Sequence, residues 1–449
     1  MVQVLPFQGL RYAPGLAGPA VVAPPYDVID PAAQRALLAR SPHNVVRLIL
    51  GDPDAGPGWH AEAANTLRAW QSAGVLVRDA RPHLYGYRQT FRAPDGTART
   101  RTGLVARVRL EPWGNGIHRH EQTRRGPRAD RLRLMRAVDA NLSPVFGLYR
   151  DPAGDLARWL RPPERPAVNA LVDGVGEAFW PITDAVAERV LIDALAERDV
   201  VIADGHHRYE TALAYRDLRN EALAGPALNG PRPWDYVMMV LVAVEDPGLL
   251  VLPTHRVVAR AAVPTASTLL AGLQADFTVE RVDRGTLGAA AAAAGRDGVA
   301  LGLCLDGAGR YLLRLKDPAA ARRAASAGQK PAAGQKPAAG QEPVAGQEPV
   351  ADLDVSVLQN LILAPHLGIS AEALSGGDAV GYTIDEKEAC AAVHAGQAGA
   401  AFILNPTDVE QIWSVALAGA TMPPKSTYFS PKLLTGLVIH PLGEGNTPE

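Results

Sequence analysis

Five consecutive residues, Asp204, Gly205, His206, His207 and Arg208, directly follow the apolar run VVIA. The residues after them resume an apolar spacing of three and four, so the pattern predicts a buried strand, a glycine turn and a helix. Glycine lets backbone amides turn inward, and the first turn of a helix presents N–H groups and a favourable dipole to anions. An arginine at the same place adds a bidentate donor for phosphate oxygens. This DGHHR turn (residues 204–208) is therefore predicted to bind phosphate.

The side chains of the turn also suit catalysis. Asp204 can accept a proton or bind a divalent cation, while His206 and His207 can donate to phosphoryl oxygens or transfer protons near neutral pH. The alternative is that Asp204 caps the helix and the histidines are surface residues, but five such residues after a buried strand favour function. We predict catalytic roles for Asp204, His206 and His207, phosphate binding by Gly205, His206, His207 and Arg208, and a candidate Mg²⁺ site at Asp204.

A second set of candidate residues follows the predicted strands of the amino-terminal part. His118 and His120 share a face if the segment is extended, and Glu121 follows at once. A metal site would need a third ligand, so we predict an acid–base or hydrogen-bonding role for His120 and Glu121. The nearby arginines indicate either an anionic substrate or a solvated, partly paired surface; they are Arg119, Arg124, Arg125 and Arg128.

Two further segments combine cations with hydroxyl groups. His255 and Arg256 follow a strand-like run, where a histidine is usually structural but gains a functional interpretation beside an arginine. The loop MPPKSTYFSPK, residues 422–432, is interrupted by prolines, and such a loop either contacts phosphate oxygens or covers the edge of a core. We predict phosphate or nucleotide binding by five of these residues: His255, Arg256, Lys425, Ser426 and Thr427.

Strands and helices alternate along the chain that must position these groups. Periodicity and turn signals predict paired strands over 83–91 and 97–110, a hairpin over 299–315, a strand over 400–404 and a helix over 353–363. Asp130 is predicted to cap a helix that carries Leu134, Met135 and Val138, and Thr407 and Glu410 have the spacing of a capping box. The predicted class is α+β, or mixed α/β with several antiparallel pairs.

The 449 residues predict more than one domain, because a single core rarely serves so long a chain. Four units, AGQKPA twice and AGQEPV twice, occupy residues 327–350, and their Pro, Gly, Gln and Ala cannot bury enough apolar surface to fold. We predict a region over 1–260, a carboxyl-terminal α/β domain over 261–326 and 351–449, and a disordered insertion over 327–350.

Composition limits the classes of partner. A formal charge of −2, with 47% hydrophobic and 20% charged residues, gives no support to general nucleic-acid or membrane binding, so an anion site must be local. The two cysteines, Cys304 and Cys390, lie among apolar neighbours, as expected of buried thiols in a reducing compartment. The segment MVQVLPFQGL lacks the features of a secretory signal, and the longest apolar run is too short to span a bilayer. These features favour the cytoplasm.

Several motifs indicate a resemblance to a known family. APPYDVI at 23–29, HEQT at 120–123, DRL at 130–132, DGHHR at 204–208, PTHR at 253–256 and MPPKSTYF at 422–429 span nearly the whole chain. On these motifs the chain is identified as a member of the bacterial family of domain of unknown function 1015.

The DGHHR turn also resembles the signature of the ParB/sulfiredoxin superfamily, which includes ParB proteins, sulfiredoxin and free-serine kinases that use ADP or ATP. This resemblance implies a ParB/sulfiredoxin-like core in residues 1–260, nucleotide phosphates at the turn, and an amino-terminal carboxylate that activates the substrate hydroxyl. Asp27 in APPYDVI is the candidate for that carboxylate, although a turn-capping role is equally consistent with its loop.

The sequence thus predicts a phosphotransferase that uses ATP or ADP, with Mg²⁺ as a candidate ion, on a small hydroxylated metabolite such as serine or phosphoserine. It contains no GxxxxGK[ST], strand-linked GxGxxG, GxSxG or CxxC pattern. Two alternatives remain open. One is a phosphatase of a small phosphorylated metabolite without nucleotide, and the other is a non-catalytic module that senses nucleotide.

Overall fold

A computed structural model of the chain describes residues 2–53, 56, 58–121, 125–222, 230–283, 285–328, 350–376 and 379–443. The backbone divides into two compact units. Unit 1 comprises residues 1–119, 123–250 and 429–449, and unit 2 comprises residues 120–122 and 251–428. Most of the predicted disordered insertion, residues 329–349, lies outside the described residues, as do Gln122, Thr123 and Arg124.

Unit 1 begins with twelve strands among the described residues: β1 (Val4–Leu5), β2 (Leu10–Tyr12), β3 (Leu76–Arg78), β4 (Tyr85–Arg92), β5 (Ala98–Arg109), β6 (Ile117–His118), β7 (Ala140–Asn141), β8 (Val145–Tyr149), β9 (Val168–Val172), β10 (Val175–Pro181), β11 (Val200–Asp204) and β12 (Tyr236–Ala243). Its helices are α1 (Pro31–Arg40), α2 (Val46–Ile49), α3 (Trp59–Ser72), α4 (Arg125–Val138), α5 (Ala185–Ala196) and α6 (His206–Ala222).

The main sheet of unit 1 is mixed. Within the described part of the chain its strand order is β6-β11-β8-β12-β5-β4-β10-β9, and β1 pairs with the end of β5. The pairs β6–β11 and β8–β12 are parallel, whereas the pairs that join β12, β5, β4, β10 and β9 are antiparallel. Apolar residues of α5 and α6, such as Leu191 and Tyr209, enter the same buried cluster as Leu104 and Leu241 of the sheet. Burial of this shared face holds the start of α6 against the end of β11.

The chain passes into unit 2 within β13 (Leu250–Leu252). Strands β14 (His255–Val258), β15 (Phe277–Arg281), β16 (Ala300–Leu305), β17 (Gly309–Leu315), β18 (Val380–Thr383) and β19 (Ala400–Ile403) follow, and the chain leaves unit 2 within β20 (Tyr428–Ser430). The helices are α7 (Ala266–Leu273), α8 (Leu287–Ala294), α9 (Pro318–Gly328), α10 (Asp354–Leu358), α11 (Ala364–Leu367), α12 (Ala371–Gly376), α13 (Glu386–His394) and α14 (Val409–Leu417), with a π-helical turn Gln359–Leu363 between α10 and α11. Strand β21 (His440–Pro441) lies in unit 1 and pairs with β7.

The sheet of unit 2 is antiparallel throughout its described pairs, in the order β15-β17-β16-β19-β14-β18. Strand β14 is an interior strand of this sheet, so its backbone pairs with a neighbouring strand on both edges. The predicted hairpin is confirmed, since β16 and β17 pair around Gly307, whose φ of 66° suits the turn. The predicted strand over 400–404 and the helix over 353–363 are also present.

Two predicted helix starts are wrong. Helix α4 begins at Arg125, so Asp130 lies inside the helix and bonds to His60 and Arg131 instead of capping it. Helix α14 begins at Val409, and its capping box uses Asp408 and Gln411 in place of Thr407 and Glu410. At α14 the neighbouring Asp408 supplies a competing cap that the spacing alone does not rank.

The predicted mixed α/β class is confirmed, and β4 and β5 pair as an antiparallel hairpin, as predicted. A ParB/sulfiredoxin-like core remains a prediction. Across the described ranges, none of the helices combines the length and the apolar content that a bilayer crossing requires.

Candidate functional site

The DGHHR turn begins at an irregularity in strand β11. The strand pairs with β8 as Val201 with Leu148 and Ile202 with Gly147, and the register then shifts so that Asp204 faces Phe146. Such a bulge bends a strand and redirects the side chain that follows it. The acidic residue therefore leaves the sheet at its last position, directly before the helix.

Gly205 meets two requirements at this point. Its φ of 91° lies in the region that side chains with a Cβ rarely adopt. A Cβ at this position would also lie 2.9 Å from Nε of Arg208 and 3.0 Å from its Cζ. The glycine therefore lets the guanidinium of Arg208 fold back against the turn, so that a cation lies over the beginning of α6.

The carboxylate of Asp204 is shared by three donors. Its Oδ1 accepts a hydrogen bond from the Gly205 amide at 2.8 Å, and its Oδ2 accepts one from Nζ of Lys432 at 3.2 Å. The Arg208 Nη2 lies 3.5 Å from the same Oδ2, and Arg208 Nη1 donates to the carbonyl of Pro144. One negative charge thus faces two positive charges, which leaves a net positive charge at the turn.

The ionisation of Asp204 follows from these contacts. Burial alone would raise its pKa, but the charges of Lys432 and Arg208, the hydrogen bond from Lys432 and the neighbouring His206 outweigh it. The pKa of Asp204 is therefore held well below its usual range. Asp204 is a charged anchor for two cations, and so low a pKa makes it a weak proton acceptor at neutral pH.

Lys432 contacts the turn, although the sequence indicated it only as one of the lysines and hydroxyl residues of its loop. It belongs to the proline-broken loop at 422–432, but the prediction placed phosphate contacts on residues 425–427 of that loop. Its side chain is 14% exposed, and that of Asp204 is 20% exposed. The sequence signal was limited to a lysine in a loop that carries other candidate residues, because nothing local relates Lys432 to a strand 228 positions away.

A buried polar network holds the segment that carries Lys432. Arg101 donates from Nη1 to the carbonyl of Ser430 at 3.2 Å and from Nη2 to that of Pro431 at 2.5 Å. Gln89 donates to the carbonyl of Lys432 at 3.1 Å and to Oε1 of Glu177 at 3.1 Å, and Arg101 also donates to Gln89. Three consecutive carbonyls of the segment are therefore bound by side chains of β4 and β5.

Two members of this network have shifted pKa values. Burial raises the pKa of Glu177 to about 7, although hydrogen bonds from Gln89 and Tyr87 and the charge of Arg101 oppose the shift. Burial also lowers the pKa of Arg101 to about 10, which still leaves this arginine charged at neutral pH. Its guanidinium lies 5.0 Å from the centre of the Phe146 ring. The network is a charged structure inside unit 1, and its acid titrates near neutrality.

The APPYDVI segment supplies an aromatic ring near the turn. Tyr26 lies in a short 3₁₀ turn, and the guanidinium of Arg131 is 4.3 Å from the centre of its ring. Burial and the charge of Asp27 raise the pKa of Tyr26, while the charges of Arg208 and Arg131 lower it. Tyr26 is thus within electrostatic range of the turn, and the exposed Asp27 follows it directly in the sequence.

The two histidines of the turn differ in exposure. His206 is buried and His207 is half-buried at the start of α6. The hydroxyl of Thr211 donates to the carbonyl of His207 at 2.7 Å, which fixes the first turn of the helix. The half-buried ring of His207 is therefore the one with access to solvent.

The arginines of the second candidate set are partly paired. Arg119 lies 3.5 Å and Arg128 lies 3.9 Å from the carboxylate of Glu210 on α6. Their geometry agrees with the predicted alternative of a partly paired surface. His118 pairs with Asp199 at 3.1 Å in unit 1. Within the part of the chain that the structure describes, no three His, Cys, Asp or Glu side chains form a metal-binding group.

A largely apolar pocket adjoins the turn in unit 1. It encloses about 490 Å³ of empty space, including open solvent at its mouth, and Arg208 and Tyr26 both line it. Helix α4 and the segment after it supply most of the remaining walls; the other lining residues are Ile49, Arg131, Leu134, Met135, Val138, Ala140, Asn141, Leu142, Ser143, Thr211 and Val237.

Unit 2 brings five of the other predicted residues together. His120 Nε2 lies 3.0 Å from Oγ1 of Thr427, and Oε1 of Glu121 accepts a hydrogen bond from the Lys425 amide at 3.1 Å. The hydroxyl of Ser426 donates to the carbonyl of Pro423 at 2.6 Å. His120 and Glu121 are thus adjacent to the loop over 425–427 in space, which the sequence did not indicate.

His255 and Arg256 lie in the interior strand β14. The Leu404 amide donates to Nδ1 of His255 at 3.2 Å, and burial, with the charge of Arg256, lowers the pKa of His255 to about 4. The Arg256 guanidinium donates to the carbonyl of Thr254 at 2.5 Å and lies 4.7 Å from the ring of Tyr382. Both side chains are buried against other parts of unit 2.

The structure therefore places the predicted residues in two groups. Unit 1 contains Asp27 and the DGHHR turn, to which it adds Lys432 and Tyr26. Unit 2 contains His120, Glu121, His255, Arg256, Lys425, Ser426 and Thr427.

The chain belongs to the DUF1015 family, described as proteins of unknown function, because the family model matches residues 4–356. None of the curated proteins matches the sequence.

Solved structures with a distant likeness were also found. A mutant free serine kinase in complex with ADP is similar with a TM-score of 0.35 and 10% identity, covering 73% of this chain and 87% of that one. A conserved hypothetical protein from Pyrococcus furiosus is similar with a TM-score of 0.34 and 11% identity over 74% and 92% of the two chains. SbnI from Staphylococcus aureus, with a C-terminal truncation, is similar with a TM-score of 0.33 and 12% identity over 74% and 85%.

Proposed function

We propose that this DUF1015-family protein is a nucleotide-dependent phosphotransferase that acts on a small hydroxylated metabolite. The observation that carries the proposal is the pair of cations, Arg208 and Lys432, which share one carboxylate at a glycine turn before a helix. Serine and phosphoserine are the first substrates to test, because the DGHHR turn resembles that of free-serine kinases.

Positive charge at the turn exceeds what Asp204 neutralises. Two cations and one carboxylate leave a net charge of the sign that a phosphate requires. The dipole of α6 adds to the attraction for an anion at the beginning of the helix. Arg208 and Lys432 would therefore hold the phosphates that move between donor and acceptor.

Asp204 fixes the two cations rather than moving protons. Its low pKa keeps it charged, so Arg208 and Lys432 stay near each other despite their mutual repulsion. Loss of the carboxylate would let the cations separate.

Activation of the acceptor hydroxyl is assigned to Asp27. This carboxylate is exposed, and it directly follows Tyr26, which lines the same pocket as Arg208. An exposed carboxylate near the turn can accept the hydroxyl proton as the phosphoryl group transfers. His207, which is half-buried, is the second candidate for this proton.

Magnesium at Asp204 fits the donor set only in part. The carboxylate oxygens already accept hydrogen bonds from Gly205 and Lys432, so a divalent cation would displace the lysine or bind mainly to the phosphates. When bound with nucleotide, Mg²⁺ would neutralise phosphate charge. The assignment of Mg²⁺ to Asp204 remains a prediction.

Transfer can be followed directly by phosphorus NMR. The full chain is incubated with ATP or ADP, Mg²⁺ and serine, then with phosphoserine and with other hydroxylated metabolites. Formation of a new phosphomonoester with consumption of nucleotide is expected. Phosphate release from phosphoserine without nucleotide would favour the phosphatase, and tight nucleotide binding without any transfer would favour the sensing module.

The Arg208→Ala variant tests whether nucleotide binding depends on this turn or on arginine charge in general. We expect it to weaken nucleotide binding by at least ~2 kcal/mol, because a partly buried charged donor is lost. Arg189→Ala, an exposed arginine of unit 1 on α5, is the matched control and should bind as the unmodified protein does. Equal nucleotide affinity of the Arg208→Ala protein and its control in calorimetry would remove the proposal.

A further inference from the structure

The apolar pocket beside Arg208 contains one buried polar group without a partner. Asn141 lines the pocket and is 3% exposed. Its Nδ2 has no hydrogen-bond acceptor among the residues that the structure describes. Buried amide groups are normally bonded, so an exception that lines a cavity indicates where a ligand atom would bind.

The orientation of the Asn141 amide is fixed by its other atom. Oδ1 accepts a hydrogen bond from the Met238 amide at 3.0 Å and lies 3.2 Å from Nδ1 of His440. Burial, together with the charge of Arg107, lowers the pKa of His440 to about 3, so the ring is neutral and its Nδ1–H can donate. A reversed amide would direct its NH₂ group at the Met238 N–H, and two donors would then face each other. The unpartnered Nδ2 is therefore a fixed donor.

The walls of the pocket select the kind of group that fits. Leu134, Met135 and Val138 of α4 make them apolar, and Arg208 joins the pocket to the DGHHR turn. None of the described residues that line the pocket is acidic, so no carboxylate among them would pair with the ammonium group of an amino acid. A flat, weakly polar ring with a hydrogen-bond acceptor at its edge meets both conditions.

We propose that this pocket binds the base of the nucleotide whose phosphates lie at the DGHHR turn, with Asn141 as the donor to the base. The inference rests on the proposed function and adds a site for the organic part of the ligand. Arg208 lies where the two parts of the ligand would meet, since it belongs to the turn and to the pocket wall.

Calorimetry with ligands that share phosphates but differ in the base tests this assignment. ADP carries the base, whereas pyrophosphate and ribose 5-phosphate do not. Asn141→Asp keeps the oxygen that accepts from Met238 and replaces the donor, and Val138→Phe fills the pocket without touching that amide. Both variants are expected to lower ADP affinity by about tenfold or more while changing pyrophosphate and ribose 5-phosphate binding by less than about twofold.

Asn220→Asp is the matched control. Asn220 is exposed on α6, and its Oδ1 accepts from the Trp234 indole at 3.0 Å, so this substitution adds the same charge away from the pocket. It should leave ADP affinity unchanged. Thermal unfolding of each variant verifies that it is folded, and Val138→Phe tests the pocket by itself if Asn141→Asp does not fold.

Unchanged ADP affinity in the folded variants would overturn the base pocket while leaving the phosphate site intact. An equal loss of ADP and pyrophosphate binding would also overturn it, because the effect would then not depend on the base. If the unmodified protein bound neither ADP nor pyrophosphate, the proposed function would fail, and the base pocket with it.

Discussion

Each unit of the protein contains a histidine and an arginine beside a strand, but the two pairs have different surroundings. In unit 1, Arg208 follows the end of β11, beyond a glycine with positive φ, and it lines a pocket. In unit 2, Arg256 lies within the interior strand β14, where it binds the carbonyl of Thr254 and the ring of Tyr382. The position in the strand decides which partners each guanidinium has.

This difference separates two uses of a buried cation. An arginine at the end of a strand can face both a carboxylate and an open pocket, whereas one inside a sheet must satisfy its donors with protein carbonyls and rings. The interpretation of Arg256 as a phosphate ligand remains a prediction, and its contacts within unit 2 describe a structural alternative. Variants can distinguish the two.

The largest expected effects come from removing one buried arginine in each unit. Arg101→Met and Arg256→Met should each lower the free energy of unfolding by about 3–5 kcal/mol, because carbonyls and neighbouring polar groups lose a buried charged donor. Only Arg101→Met should also weaken nucleotide binding, since Arg101 holds the carbonyls of Ser430 and Pro431 next to Lys432. Urea denaturation and calorimetry on the same samples measure both quantities.

Arg88→Met is the control for these two variants, because Arg88 lies on β4 and is only partly buried. It should cost much less stability and leave nucleotide affinity unchanged. Loss of nucleotide affinity in a stable Arg256→Met protein would contradict the structural interpretation of Arg256. It would instead support Arg256 as a phosphate ligand.

A smaller effect, on affinity alone, is expected at Lys432. Lys432→Ala should weaken nucleotide binding by about 10- to 100-fold, which corresponds to one charged hydrogen bond of about 1.5–3 kcal/mol. Lys387→Ala, an exposed lysine of α13, serves as the control in the same titration. Retained nucleotide affinity in Lys432→Ala would show that Lys432 only pairs with Asp204 and does not contact the ligand.

A further expected effect depends on pH and vanishes at its acidic end. The pKa of Glu177 is raised from 4.5 to about 7, so the folded state holds this proton more tightly than the unfolded state. The resulting stabilisation is fully present below pH 4.5 and is lost as pH rises to about 7. Glu177→Gln, which mimics the protonated acid, should therefore be more stable than the unmodified protein above pH 7, by up to about 3 kcal/mol.

Near pH 4.5 the difference between Glu177→Gln and the unmodified protein should disappear. His255 gives unit 2 the opposite response, because its pKa is lowered and its contribution to stability is lost as pH falls from 6.5 towards about 4. Denaturant unfolding across pH 4–8 measures the difference. A constant difference between the Glu177→Gln and unmodified proteins over this range would show that Glu177 does not titrate there.

Local signals predicted much of this architecture. The strand, glycine turn and helix around Gly205 were predicted because all three depend on neighbouring residues, and the pairing of β4 with β5 follows from a short turn between them. Asp130 was misplaced because a capping residue and a residue bonded within a helix look alike in sequence. Structure could be predicted from the sequence where the interacting residues are close along the chain.

The parts of the site that could not be predicted depend on long-range contacts. The bond between Lys432 and Asp204 joins residues 228 positions apart, and the bond between His120 and Thr427 joins residues 307 apart. Burial of Glu177 beside Gln89 and Tyr87 depends on the pairing of β10 with β4, so its raised pKa leaves no trace in the local sequence. Spacing rules describe one element at a time, whereas these contacts require the assembled sheet.

The contact between Lys432 and Asp204 can form only late in synthesis, because the two residues are 228 positions apart. A ribosome completes β11, the glycine turn and all of unit 2 before it adds the residue whose ammonium group faces Asp204. A nascent chain that stops short of residue 432 would contain the turn with only one of its two cations. On the proposed function, affinity for an anionic ligand would therefore stay incomplete until residue 432 has been added and has reached Asp204.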